Sequence, residues 1–270
     1  GDTVEEIARE KAGIIKPNIP LVLAPQLPSI ERVIGEVAVQ QQAPIHRVAQ
    51  EVQVDLLSST RQGTRCSIRT PLDSYLDLTI PLLGRHQVTN AATAIRMAEL
   101  WLESQGGLKP ASVQEGLAGV LWPGRCQLIE GTPPILLDGA HNADSVAALK
   151  STANELFPER RIVLVFGTSL EKDLPGMAAH LGAWAWAWVL TRAQVPRAES
   201  LERIAQAFRP WHPQPVVVPS VAEALKRSKG LAGPEDLIVV TGSLFLVGEA
   251  LQALTGDASV TALSGTESRR

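Results

Sequence analysis

Residues 135–166, ILLDGAHNADSVAALKSTANELFPERRIVLVF, contain a strand, a helix and a second strand in turn. Residues 135–137 and 162–166 are short apolar runs of β-forming type. Between them Val146, Leu149, Ala153 and Leu156 recur at helical spacing, which places them on one stripe. The same alternation continues downstream. Further β runs fall at 186–190, 215–218 and 237–241, and Leu201, Ile204, Ala205 and Phe208, then Leu244, Val247, Leu251 and Leu254, mark helices between and after them. Strand–helix alternation repeated in this way predicts an α/β fold with a doubly wound parallel sheet and helices on both faces. In such sheets ligands sit beyond the carboxyl ends of the strands, which singles out the loops 138–142, 167–173, 191–196, 218–220 and 241–243.

The first half is more mixed. Asp2 or Thr3 can cap a helix running to about Ala12, with Glu5 or Glu6 closing a capping box. Residues 20–24 read as a buried strand, and 29–41 as a helix with Ile30, Val33, Ile34 and Val37 inward. Residues 45–80 alternate apolar and polar around turns at 61–63 and 71–74, an antiparallel meander. A helix over 86–104 carries Ala94, Met97 and Trp101 on one stripe, and a second helix follows 109–111. Trp122-Pro123-Gly124 breaks the chain and is taken as the domain boundary. The polar residues 256–270 are expected to be a flexible tail.

Composition narrows the function. The 270 residues are 45% hydrophobic and 20% charged, enough for a packed core, with a net charge of −3. No basic excess exists to hold a nucleic-acid backbone. The longest apolar stretch, 181–190, is well short of the ~20 residues that span a bilayer. No charged-then-apolar leader opens the sequence, and its two cysteines, Cys66 and Cys126, rule out a disulfide framework. Both read as small buried hydrophobes, and a reducing, cytoplasmic setting is expected.

Several residues could carry chemistry. Asp138-Gly139-Ala140-His141-Asn142 follows a strand and precedes a helix. That pattern is either an anion or nucleotide site at a helix N-terminus or a plain turn capped by Asn142 or Asp144. Trp184, Trp186 and Trp188 alternate with alanines, so period two would put them on one strand face, as core or as an aromatic platform. Lys11 and Lys16 flank Ala-Gly-Ile-Ile and are solvated charges unless burial opens carbamate or Schiff-base chemistry. Arg125 could clamp a phosphate or form a surface ion pair, and Asn90 could read a base edge or cap locally. No Gly-x-x-x-x-Gly-Lys-Ser/Thr loop occurs, nor any Gly-x-Gly-x-x-Gly after a strand.

Six stretches together resemble one family. They are GDTVEEIAREKAGIIKP (1–17), LLGRHQVTNAATAI (82–95), WPGRCQ (122–127), LLDGAHN (136–142), VFGTSLEKD (165–173) and TGSLFLVGEAL (241–251). In this order they are similar to the folylpolyglutamate synthase/dihydrofolate synthase family of the Mur ligase superfamily, and EIAREKAGI favours its folate branch. The resemblance implies the C-terminal part of a Mur-ligase ATPase domain (1–122) followed by a Rossmann-like doubly wound α/β domain (123–255). It also implies a ligase that uses ATP and magnesium to join L-glutamate to dihydropteroate or folate through an acyl phosphate, as a cytoplasmic monomer.

Residue by residue, the likeness makes Lys11 the lysine the family carbamylates, able to support magnesium or orient phosphate. Asn90 becomes the adenine-side asparagine and Arg125 the hinge arginine that reaches the nucleotide phosphates. Asp138 lies on the ribose or hinge side, with His141 near the phosphates. Ser243, and more weakly Asp173, would hold the incoming glutamate. The family's phosphate loop lies upstream of the first motif, so the sequence, which opens on Gly1, resembles an N-terminally truncated fragment expected not to turn over ATP alone. Two alternatives stay open: another Mur-type ligase, acting on a UDP-linked peptide precursor or cyanophycin, and a non-catalytic Rossmann-like module.

Overall fold

The computed structural model describes residues 3–212 and 214–256. It divides into two compact units. One comprises the chain up to Pro81 together with Arg85–Leu121. The other comprises Leu82–Gly84 and the chain from Trp122 onward.

The first unit opens with α1 (Val4–Lys11), capped by Thr3, whose hydroxyl accepts from Glu6 N while the Glu6 carboxylate returns to Thr3 N. A single 3₁₀ turn, Ala12–Ile14, follows. β1 (Leu21–Leu23), α2 (Pro28–Gln40) and β2 (Ile45–Arg47) then form a β–α–β unit whose two strands pair in parallel. Ala12, Ile15, Ala38 and Ala43 are its buried core, and Ile34 and Val37 pack on it. Residues 45–51 therefore do not belong to the meander. After β2 comes the short α3 (Val48–Glu51), and the antiparallel sheet is β3 (Gln53–Thr60), β4 (Gly63–Arg69) and β5 (Ser74–Ile80). Period-two alternation cannot separate a three-residue parallel strand from the first residues of a hairpin, and that is why the boundary was misplaced.

α4 (His86–Leu102) buries Val88, Ala91, Ala92, Ile95, Arg96 and Glu99. The stripe Ala94, Met97, Trp101 lies on its outer side, where Met97 is 56% and Trp101 77% exposed. Hydrophobic spacing misled here because the inward face holds a charged pair. Met97 and Trp101, with Ile14 and Ile19, instead line an apolar groove of about 450 Å³. After a 3₁₀ turn, α5 (Pro110–Ala118) completes the unit, with proline in its first turn.

In the second unit the sheet strands are β6 (Gln127–Ile129), β7 (Ile135–Asp138), β8 (Ile162–Phe166), β9 (Ala187–Leu190), β10 (Val216–Val217) and β11 (Leu237–Thr241). Their order is β10-β9-β8-β11-β7-β6, parallel except for β6, an antiparallel edge strand. The helices are α6 (Ala143–Leu156), α7 (Leu174–Leu181), α8 (Leu201–Phe208), α9 (Val221–Leu231) and α10 (Leu244–Thr255). Residues of α6, α7 and α8 share one core with Leu136, Leu164, Trp188 and Val239. Residues of α9 and α10 share the other with Leu137, Val163, Val189 and Val240. Alternate residues of the same strands thus feed both cores, as a sheet sandwiched between helix layers requires. The α/β expectation holds.

Two details differ. Only Trp188 of the three alternating tryptophans sits on a strand, packed against Phe208 at 4.6 Å. Trp186 precedes the strand and is covered by the Arg161 guanidinium 4.6 Å above its ring, and Trp184 donates from Nε1 to Asn154. The proposed tail beyond Gly256 lies outside the described residues.

The interior of the first unit is pinned by charge. Arg96, 5% exposed, donates from Nε to Glu51 and from Nη1 to Glu99, each at 3.1 Å. Glu99 also accepts from the Tyr75 hydroxyl at 2.8 Å and from Thr70. This ties α4 to α3 and β5. Removing one partner strands a buried charge, so Arg96→Met should cost the first unit about 3–5 kcal/mol in urea denaturation, and adding Glu99→Gln should recover part of it. Burial works against the Glu51 charge, but His46 and Arg96 outweigh it and hold its pKa below the ordinary value. Its stabilisation is therefore present above the ordinary glutamate range and lost as the pH falls through the lowered value. Glu51→Gln should flatten that acid limb of the stability curve.

Candidate functional site

β7, β11, β8 and β9 lie side by side and run in parallel, so the loops leaving their carboxyl ends emerge together. These are 139–142, 242–243, 167–173 and 191–199. Each supplies at least one polar side chain to a cleft of about 150 Å³: His141 after β7, Ser243 after β11, Ser169 and Lys172 after β8, and Arg197 after β9. Leu244 and Phe245, in the first turn of α10, form its apolar wall.

Close backbone packing makes this convergence possible. Gly242 has φ +110°, and a Cβ there would lie 2.5 Å from the Gly167 carbonyl oxygen. A Cβ on Gly167 would in turn lie 2.4 Å from the Thr191 oxygen. Side chains at either position would wedge the three loops apart.

Inside the cleft, His141 Nδ1 lies 2.9 Å from the Gly139 carbonyl oxygen. A carbonyl only accepts, so Nδ1 carries the hydrogen and Nε2 of the neutral ring is left as an acceptor. Ser243 is buried; its hydroxyl accepts from Phe245 N at 3.2 Å, capping α10, and lies 3.5 Å from the Ser169 hydroxyl. Lys172 and Arg197 have no side-chain hydrogen bond or ion pair among the described residues. Glu171, next to Lys172 in the chain, is exposed and shows no ion pair among the described residues, whereas the other two acids of these loops are engaged. Asp173 caps α7 by accepting from Gly176 N, and Glu199 pairs with Arg203 at 3.1 Å. The cleft lining therefore presents two cations, hydroxyls and an imidazole acceptor, a set suited to an anionic ligand carrying an amine.

The remaining candidates lie apart from this cleft's lining. Asp138 is 6% exposed, and its two carboxylate oxygens accept from Cys126 N and Ala140 N, both at 2.8 Å. It thereby fastens the segment next to Arg125 to the end of β7, with Gly139 N donating to the Gly124 oxygen at 2.9 Å. Arg125 is half-buried, its guanidinium 6.0 Å above the Trp122 ring. Burial, with the Asp138 charge beside it, pushes the Cys126 thiol well above its ordinary pKa, so it stays an unreactive core residue. Asn142 caps α6 in a capping box with Ser145. The turn is thus capped as the plain-turn reading required, and it also delivers His141 to the cleft.

Asn90 and Lys11 belong to the first unit. Asn90 is exposed and donates to Gln87 at 3.0 Å. Lys11 is 77% exposed, with Glu10 at 4.0 Å as its ion-pair contact. Asp173 is spent as a helix cap and does not line the cleft. Ser169, Lys172 and Arg197 were not singled out from sequence. The carboxyl-end rule reached the loops of the first two, whereas Arg197 lies one residue beyond the 191–196 window.

Residues 124–244 match the family described as Mur ligase, glutamate ligase domain. The dihydrofolate synthase/folylpolyglutamate synthase of Bacillus subtilis is 32% identical over 260 residues, covering 94% of this chain and 59% of the relative. The folylpolyglutamate synthase of Lacticaseibacillus casei is 31% identical over 96% of this chain and 59% of its own length. Among solved structures, Mycobacterium tuberculosis folylpolyglutamate synthase complexed with ADP superposes with a TM-score of 0.84 at 26% identity, over 95% of this chain and 60% of that one. The chain thus spans about three fifths of the length of these relatives. Its second unit contains the stretch that matches the glutamate ligase domain of Mur ligases, within a chain that is similar along nearly all its length to folylpolyglutamate and dihydrofolate synthases.

Proposed function

We propose that this chain is the amide-forming portion of an ATP-dependent ligase that adds L-glutamate to the carboxylate of dihydropteroate, folate or both. The observation that carries the reading is the cleft of His141, Ser169, Lys172, Arg197 and Ser243, whose two cations make no hydrogen bond or ion pair among the described residues, inside a domain matched to glutamate ligases. In this reading the acceptor carboxylate is first phosphorylated by ATP to an acyl phosphate. The glutamate amine then attacks the acyl carbon, the new C–N bond forms, the C–O bond to phosphate breaks, and inorganic phosphate departs. The amine must shed a proton, and His141 Nε2 is the free base at the cleft. Lys172, Arg197 and the Ser243 and Ser169 hydroxyls orient the dicarboxylate, so that the attack is effectively intramolecular. Arg125 meets nucleotide phosphate, and Asp138 holds the backbone beside it in place.

Magnesium would neutralise charge on the transferring phosphoryl oxygens. Among the described residues no group of three or more His, Cys, Asp or Glu side chains gathers that could hold a metal ion. Lys11 as a carbamate would face the Glu10 carboxylate, a like charge. The described residues do not gather a magnesium site by themselves. No helix among the described residues is long and apolar enough to cross a membrane, and a cytoplasmic monomer completes the proposal.

Three outcomes test it. L-glutamate added to the 270-residue chain should shift the amide resonances of 139–142, 167–173 and 242–245, and shifts confined to other residues would refute the site. The same chain, which has no Gly-Lys-Ser/Thr phosphate loop, should give no ATP- and glutamate-dependent ligation of dihydropteroate or folate; normal turnover would overturn that part of the reading. Asp138→Ala leaves two amide donors unpaired and should destabilise the second unit by about 2–6 kcal/mol, with Asp138→Asn costing less because one acceptor remains. An Asp138→Ala chain as stable as the parent would mean that the carboxylate does not organise the turn.

A further inference from the structure

The segment that presents Arg197 is held more firmly than a surface loop requires. Leu170 N donates to the Arg197 carbonyl oxygen at 2.8 Å and Glu199 N to that of Thr168 at 2.9 Å, while Ser169 and Ala198 form an antiparallel bridge. Ala198 N closes a turn onto Val195 at 3.1 Å. Ala198 and Glu199 are buried, and the Glu199 carboxylate is occupied by Ser200 N and Arg203. The backbone on both sides of Arg197 is thereby zipped to the loop that carries Ser169 and Lys172. Its exposed guanidinium enters the cleft without a partner among the described residues.

Lys172 gives the cleft one cation able to hold a carboxylate. A second unpaired cation on a fixed backbone, of the type whose planar fork matches a carboxylate, implies a second carboxylate on the ligand. We infer that Arg197 is a specificity-determining residue, holding one carboxylate of the incoming amino acid while Lys172 holds the other. The cleft then selects acidic amino acids over their amides. This rests on the reading of the cleft as the glutamate site.

The test uses the full 270-residue chain, titrated by NMR with L-glutamate and with its two monoamides, L-glutamine and L-isoglutamine. The parent should bind glutamate at least ~10-fold more tightly than either amide. Arg197→Gln should weaken glutamate binding ~10-fold and abolish discrimination against one amide only, that lacking the carboxylate Arg197 contacts. Arg197→Lys should restore part of both effects. The side chain is exposed and makes no structural bond, so the variant's amide spectrum outside the cleft should match the parent's. If Arg197→Gln discriminates both amides as the parent does, the inference fails while the glutamate site stands. If the parent does not bind glutamate, the site reading fails and takes the inference with it.

Discussion

The candidate site depends on where β11 is inserted. The last strand of the sheet lies between β7 and β8, paired in parallel to both, with all five residues buried. Both of its edges are paired in the sheet, as a strand buried on both faces requires. Because β11 ends level with its neighbours, Thr241 opposite Asp138 and Phe166, the loops that follow all three leave at one height. Gly242 and Gly167 then let the chains pass closer than any side chain would allow. A cleft with polar groups from four strand ends follows from that insertion, without a dedicated cavity in the core.

The residues around the cleft work twice. Ser243 caps α10 and presents its hydroxyl to Ser169; Asn142 caps α6 and fixes the turn that carries His141. Asp138 satisfies two backbone donors and in doing so locks the Arg125 segment to β7. Helix starts at the carboxyl edge of a parallel sheet need caps, and small polar caps are also good ligand contacts. Local folding and ligand recognition therefore call for the same residue types at the same positions. Lys172 and Arg197 are different. Their side chains make no hydrogen bond or ion pair among the described residues, while Asp173 and Glu199 are engaged with other partners.

Much of this was legible in the sequence. Four of the parallel strands, β7, β8, β9 and β11, read as apolar runs because strands covered on both faces carry little polar alternation. β6, three half-buried residues after a proline-glycine break, carried no such signal and was missed. The turn at Asp138–Asn142 was legible as a turn and as a candidate site. The network of Arg96, Glu51, Glu99 and Tyr75 was not, since each looks like a surface residue until three separate elements bring them together. That network also inverted the reading of α4: its charged face points inward, and Met97 and Trp101 point out into an apolar groove. Ser243 was chosen by resemblance and lines the cleft. Lys172 was passed over for its neighbour Asp173, which the helix uses as a cap. One-residue errors of this kind are expected where a loop becomes a helix, because capping and ligand contact favour adjacent positions.

We propose the carboxyl edge of the second unit as the seat of an acidic amino acid. A crystal structure of the chain grown with L-glutamate tests it most directly. Glutamate should occupy the cleft, its two carboxylates against Lys172 and Arg197 and its amine toward His141 Nε2. Glutamate bound with its carboxylates on other side chains, or a cleft left empty at saturating glutamate, would contradict it.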